Sequence, residues 1–321
     1  MQEVDHDYTR VSLETANRVK SQLENGVVGR NMGYRLQGSV PCNIHIRGVS
    51  DVDLLALDQA FFTYDSHGCD ARSGYYDSPY HVTPVQALTS LRTQIENVLD
   101  SKYPAATVDK TGAKAVKISG GSLPRPVDVV PSHWHNTADY QQSSAEHDRG
   151  VNIFDKKLQK TLHNMPFRHI KLVTDRCEGA CLGGLKKSIR LCKHVKADAI
   201  EDGKDINFSS FDIAATMYHA NTAALTVGST YELAILAETQ RWLDYLACNF
   251  DYARTLNVPD GSRKIFDSDA KLNGMRRLSI EMDELLKEVA KEQSPQYSFE
   301  TERSLPDSRN VVTGSYIPFF F

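Results

Sequence analysis

Three aspartates on apolar, β-prone stretches carry the clearest chemical potential in this chain. Asp51 and Asp53 flank a valine in SDVDLLAL, and Asp128 lies inside RPVDVVP. Side chains alternate along a strand, so Asp51 and Asp53 share one face while Val52 and Leu54 take the other. Val127 and Val129 likewise turn away from Asp128. Carboxylates gathered on core strands repel one another, and they need a cation or a proton to be tolerated there. Hard divalent cations take oxygen ligands. Two of them, about 3.5–4 Å apart, stabilise the attacking and leaving oxygens of an in-line displacement at phosphorus. Upstream, Gly38-Ser39 precedes Asp51 by an eleven-residue spacer. Glycine lets the backbone approach a phosphate, and the serine hydroxyl and nearby amides can donate to its oxygens. A lone Asp-x-Asp is common at strand ends and Gly-Ser is a weaker signal still. It is the combination with Asp128 that points to phosphoryl chemistry.

Periodicity supplies the elements that must position these residues. Leu13, Ala16, Val19 and Leu23 recur at helical spacing and predict an opening helix. A strand is expected from about Asp51 to Leu57, and Phe61 to Tyr80 reads as a long polar insertion. Thr83-Pro84 looks like an N-cap with proline at the first helical position, opening a helix to about Asp100. In AKAVKISGGSLPRPVDVVP two β-prone runs flank a Gly-Gly turn, predicting a hairpin-like pair. Ser132 to Val151 reads as a polar, irregular passage between lobes, and the chain is expected to turn helical after Phe154. There Leu185, Ile189, Cys192 and Val195 form an apolar stripe beside Lys186, Arg190 and Lys193. Further helices are expected over about Asp212–Thr226, Thr230–Phe250 and Asp269–Gln293. The layout is α+β: a mixed-sheet lobe over 1–150, a helical lobe over 151–293, and an irregular tail over 294–321. The tail ends in IPFFF, an aromatic terminus expected to dock on a groove.

A formal net charge of -4 over 321 residues gives no overall attraction to nucleic acid or to an anionic membrane. The first twenty residues lack the apolar core of a signal peptide, and no run is long enough to span a bilayer. Six cysteines scattered through a chain of this size are expected to be reduced thiols, which points to the cytoplasm. Cys177 and Cys181, with His163, His169 and Cys192 nearby, lack the paired C-x-x-C spacing of a zinc site and read as ordinary buried thiols. The His133-Trp134-His135 run after Asp128 reads as packing that anchors a loop.

Gly-Ser, the spaced Asp-Val-Asp-Leu and the distant third aspartate together resemble the DNA-polymerase-β-like nucleotidyltransferases. Within them, RPVDVVP, LKKSIRLCKHVKAD, NFSSFDIAATMYHA and VPDGSRKIFD resemble segments of the CD-NTases, bacterial relatives of animal cyclic GMP–AMP synthase. The likeness spans roughly Tyr8 to Glu292. It implies a nucleotidyltransferase fold with its active site in the cleft between a mixed-sheet lobe and a helical lobe.

The resemblance also implies roles. Gly38 and Ser39 would hold the donor triphosphate, while Asp51 and Asp53 would bind two Mg2+ ions, with Mn2+ able to substitute. Asp128 would bind the catalytic ion and help activate the attacking ribose hydroxyl. Lys193 would contact phosphates; its alternative is a solvated charge on an amphipathic helix. Ser210 would touch phosphate and Phe211 would stack on a base, where the family carries tyrosine. The alternative there is a capping box over Ser209–Asp212 with Phe211 in the core. The expected activity joins nucleoside triphosphates, ATP or GTP first, into a cyclic di- or trinucleotide signal for anti-phage (CBASS) defence. A regulatory partner protein is compatible with this, and neither membrane nor nucleic-acid binding is expected. The alternatives are nucleotidyl transfer to an RNA end or a protein side chain, or an inactive nucleotide-binding protein.

Overall fold

A computed structural model describes residues 1–76, 82–294 and 303–317. The chain divides into two compact units, Val4–Lys171 and Met1–Glu3 with Leu172–Phe321. No helix among the described residues is long and apolar enough to cross a membrane.

The first unit opens with α1 (His6–Gly26), capped by Asp5, whose carboxylate accepts from the Asp7 amide. Strands β1 (Met32–Gln37) and β2 (Val52–Tyr64) follow, then a short α2 (Cys69–Arg72). The expected polar insertion is therefore partly strand: Phe61–Tyr64 completes β2 because it continues the pairing with its neighbour after a bulge. The rest of that expectation falls partly on 77–81, outside the described residues. Helix α3 (Pro84–Lys102) begins as its sequence predicts, with a reciprocal Thr83–Gln86 capping box and proline in the first turn. Strands β3 (Thr107–Asp109), β4 (Val116–Gly120) and β5 (Leu123–Asn136) lead to α4 (Ala138–Ser143), β6 (Gly150–Asp155) and β7 (Lys160–Asn164).

The sheet runs β1-β2-β5-β4-β3, with β6 continuing from β5 and β7 from β6. Among the described residues only β2 and β5 pair in parallel; the other strand pairs are antiparallel. Helices α1 and α3 cover one face through Leu23, Leu88, Leu91 and Ile95 against Val52, Leu54, Val127 and Val129. The opposite face carries Leu55, Leu57, Val130, Trp134, Val151 and Ile153.

Two expectations are corrected here. Ser132 to Val151 is not an irregular passage: β5 runs on to Asn136, with Ser132 and His133 fully buried and Trp134 nearly so. The first unit also extends past 150, because β6 pairs with β5 and β7 with β6 before the chain turns helical at α5 (Pro166–Ala180).

The second unit is helical. It contains α6 (Gly184–Glu201), α7 (Ser210–Tyr218), α8 (Thr222–Leu225), α9 (Leu233–Cys248), α10 (Phe250–Thr255) and α11 (Asp269–Gln293). The tail is not wholly irregular, since α12 (Leu305–Gly314) packs on α9 and α11. Ser304 caps it, Val312 is buried, and Arg309 donates to Gln240 Oε1 at 2.6 Å and Asp244 Oδ2 at 2.7 Å. Docking of Pro318–Phe321 lies outside the described residues.

Buried His133 gives the first unit a pH dependence. Its Nδ1 lies 2.9 Å from the Trp134 carbonyl, Nε2 has no partner, and the ring meets the edge of Phe61. Burial lowers this imidazole from 6.5 to about 4. The unfolded chain therefore takes up a proton near 6.5 that the folded chain refuses until about 4. The stability tied to neutral His133 is complete above 6.5 and drains as pH falls toward 4. Between pH 6.5 and 5 the loss should reach about 2 kcal/mol by urea unfolding. His133→Gln should remove that increment; an unchanged pH slope in the variant would show that His133 does not titrate as argued.

Candidate active site

The acidic residues meet through strand register. Gln37 on β1 pairs with Asp53 on β2, Asp53 with Asp128 on β5, and Asp128 with Lys117 on β4. Residues in register point to the same side of a sheet, so these four form one transverse row. Val52 and Val127, the preceding residues of their strands, are buried on the helix-covered side. The alternation read from the sequence therefore holds.

Asp51 immediately precedes β2, and its carboxylate forms an ion pair with the Lys117 ammonium. Asp128 Oδ1 is buried and has no hydrogen-bond partner. Burial first, and the charge of Asp51 second, raise the Asp128 carboxyl above its ordinary value, with Lys117 opposing. The Lys117 ammonium is raised in turn by its hydrogen bond to Asp51. Among the described residues, no three His, Cys, Asp or Glu side chains stand together closely enough to hold a metal ion.

Gly38 closes the row at the end of β1. Its φ is +76°, and a Cβ placed on it would lie 2.3 Å from Asp53 Oδ2. The glycine therefore lets the backbone turn while lying directly against the Asp53 carboxylate. Ser39 follows in the turn, where its carbonyl accepts from the Ile44 amide at 3.0 Å. The spacer from here to Asp51 is irregular but anchored. Cys42, Ile44 and Ile46 are buried in it, Tyr8 Oη accepts from the Gly48 amide, and Thr9 Oγ1 lies 2.9 Å from His45 Nε2. Thus α1 fixes the segment that carries Gly-Ser toward the aspartates.

Lys193, Ser210 and Phe211 belong to the second unit. Lys193 on α6 is only 4% exposed, so it is not a solvated charge. Lys196, one turn on, donates to the Phe208 carbonyl at 2.7 Å and ties α6 to the segment before α7. Ser209 caps α7 by accepting from the Asp212 amide at 3.0 Å, which makes Ser210 the first helical residue. Phe211 is not core: it is 39% exposed, and the buried ring of this segment is Phe208, stacked on Phe266. The Arg263 guanidinium lies 5.2 Å from the Phe211 ring centroid and also donates to Asp212 Oδ1 at 2.6 Å.

Cys177, Cys181 and Cys192 are buried free thiols. Cys181 Sγ donates to the Cys177 carbonyl at 3.3 Å, and the neighbouring Cys181 thiol holds Cys177 below the ordinary thiol range against the opposing effect of burial.

Two residues of these sites were not anticipated. Lys117 was not legible from the turn: the Gly120–Leu123 pairing extended down the hairpin would set it opposite Pro126, and a register shift between Ile118 and Gly120 brings it opposite Asp128 instead. Arg263 had no local signal, because only tertiary packing brings it to Phe211.

No protein-family model matches the chain. It is 44% identical over 292 residues to the cyclic dinucleotide synthase CdnE of Yersinia aleksiciae, spanning 91% of this chain and 75% of that one. A solved STING-associated CdnE c-di-GMP synthase from Flavobacteriaceae sp. matches with a TM-score of 0.74 at 22% identity, covering 96% of this chain and 85% of that one. The corresponding synthase from Capnocytophaga granulosa matches with a TM-score of 0.69 at 27% identity, covering 88% and 82%. With such a relative and a mixed sheet bearing the acidic row, the chain belongs to the CD-NTases, nucleotidyltransferases that synthesise cyclic oligonucleotides.

Proposed function

We propose that this enzyme joins nucleoside triphosphates in two successive transfers and closes them into a cyclic dinucleotide, on a site built from the Gln37–Asp53–Asp128–Lys117 row. The observation that carries this reading is Asp128 Oδ1, a buried carboxylate oxygen without a partner, set in register beside Asp53. An anionic oxygen in that state suits a hard cation, and the donor set is all carboxylate. Asp51, Asp53 and Asp128 are the residues that would hold two Mg2+ ions. Bound there, the ions would neutralise phosphate charge and lower the pKa of a ribose hydroxyl.

The chain's own groups do the positioning. The Gly38 and Ser39 turn presents its amides and the Ser39 hydroxyl to the donor triphosphate, and Gly38 keeps that turn against Asp53. Asp128 helps to activate the acceptor hydroxyl, whose oxygen forms the new bond to the α-phosphorus as the bond to pyrophosphate breaks. Lys193 is assigned to phosphate contact. Ser210, at the start of α7, offers hydroxyl and amide donors to phosphate. Phe211 offers an exposed ring face for a base. The relatives named c-di-GMP synthases support GTP as a first substrate to test, alongside ATP. The product would serve as a signal in anti-phage (CBASS) defence.

Incubation with labelled ATP, GTP, CTP and UTP plus Mg2+ or Mn2+, followed by phosphatase, should leave a resistant cyclic product. Asp51→Asn combined with Asp53→Asn should leave none. A wild-type enzyme that yields only phosphatase-sensitive linear products from every mixture would overturn the cyclase reading.

A further inference from the structure

Lys117 stands in register with Asp128, and its ammonium is paired with the Asp51 carboxylate rather than lying along the sheet surface. The two side chains are 41% and 31% exposed, a setting in which an ion pair adds little to stability. Its effect is on the charge of the row. One of the carboxylates expected to meet a metal is already answered by an ammonium, while Asp128 Oδ1 remains without a hydrogen-bond partner.

We propose that Lys117 is an internal counter-ion that occupies Asp51 before a divalent cation does, so that loading the site exchanges an ammonium for a metal ion. The proposal rests on the reading of the acidic row as a magnesium site. A single positive charge relieves part of the repulsion between Asp51 and Asp128 in the metal-free row. A divalent ion relieves it more fully, but it has to displace the lysine first. Lysine suits this exchange, since its charge sits at the end of a flexible four-carbon stem that can swing aside. An arginine there would hold the carboxylate through a fixed fork and release it less readily.

Binding of Mn2+ alone to the full chain, without nucleotide, tests this by paramagnetic resonance of the free ion or by calorimetry. Lys117→Met should bind Mn2+ about three- to tenfold more tightly than wild type, because the competing cation is gone. Lys117→Arg should bind no more tightly than wild type, and Asp51→Asn should bind markedly more weakly. In EDTA, Lys117→Met should melt within a degree or so of wild type, and Mn2+ should raise its melting temperature by a larger increment. If Lys117→Met binds Mn2+ no better than wild type while Asp51→Asn weakens binding, the counter-ion role is overturned and the metal-site reading stands. If no Mn2+ binding depends on Asp51 in either background, both fall.

Discussion

Asp128→Asn is expected to lower cyclic-product formation by at least about 10³-fold while leaving the metal-free protein as stable as before, or slightly more so. The two halves of this result have one cause. In the folded chain the Asp128 carboxyl is raised above its ordinary value, chiefly by burial and then by Asp51. A carboxyl raised in this way is one whose charged form the fold disfavours relative to the unfolded chain. Asparagine keeps the shape and removes the charge, so the metal-free fold gains whatever that charge cost. The price appears on the chemical side, where asparagine cannot supply an anionic ligand or help to activate the ribose hydroxyl. Labelled-product formation and melting temperature in EDTA measure the two halves separately. Wild-type and variant melting curves that coincide in EDTA but separate on adding Mg2+ would also tie the loss to metal binding. Retention of more than a tenth of wild-type activity would remove Asp128 from the catalytic set.

How far the sequence discloses this site depends on whether a signal is local. The caps of α3 and α7, the helical stripe of α6 and the span of α11 follow from residues within a turn or two of one another. The acids were legible because a charge on an apolar strand breaks its own alternation. The second half of β5 was not, because Pro131-Ser132-His133-Trp134-His135 has the composition of a loop. The structure shows why a proline is tolerated there. On the side away from β2, the β4 pairing ends at Val129 and the β6 pairing begins at Ser132, so Pro131 falls in the gap between two neighbours. No ladder bond is asked of its missing N–H on that side. The polar residues that follow are buried by β2 and β6, which local composition cannot foresee. For α12 the Ser304, Pro306 and Asp307 start signal was present, but the Ser- and Arg-rich surroundings masked it. Phe208 and Phe211 illustrate a different limit. Both are rings near the start of α7, and only the stacking partner Phe266 decides which one goes inside.

Gly38→Ala should cut activity by at least about 100-fold, and Gly29→Ala should not, although both glycines have nearly the same backbone conformation. Their φ values are +76° and +74°, so an alanine at either position carries a similar backbone penalty of about 1 kcal/mol. The surroundings differ. An added Cβ at Gly29 meets nothing within 4 Å, whereas at Gly38 it would lie 2.3 Å from Asp53 Oδ2 and 3.2 Å from its carboxyl carbon. That clash has to move either the turn carrying Ser39 or the Asp53 carboxylate, and both belong to the proposed site. The turn has little room to yield, because the buried Cys42, Ile44 and Ile46 anchor the segment behind it. The carboxylate is therefore the group displaced, and a shift of about 1 Å in a catalytic group can cost on the order of 100-fold. Urea unfolding should show comparable stability losses for the two variants, with any excess at Gly38 reporting the clash. Nucleotide turnover should separate them sharply. Equal activity losses would mean that backbone strain alone governs the effect and that Gly38 has no special relation to Asp53. An inactive Gly38→Ala of near-Gly29→Ala stability would instead locate the damage where the strand register places the chemistry, at the meeting of β1, β2 and β5.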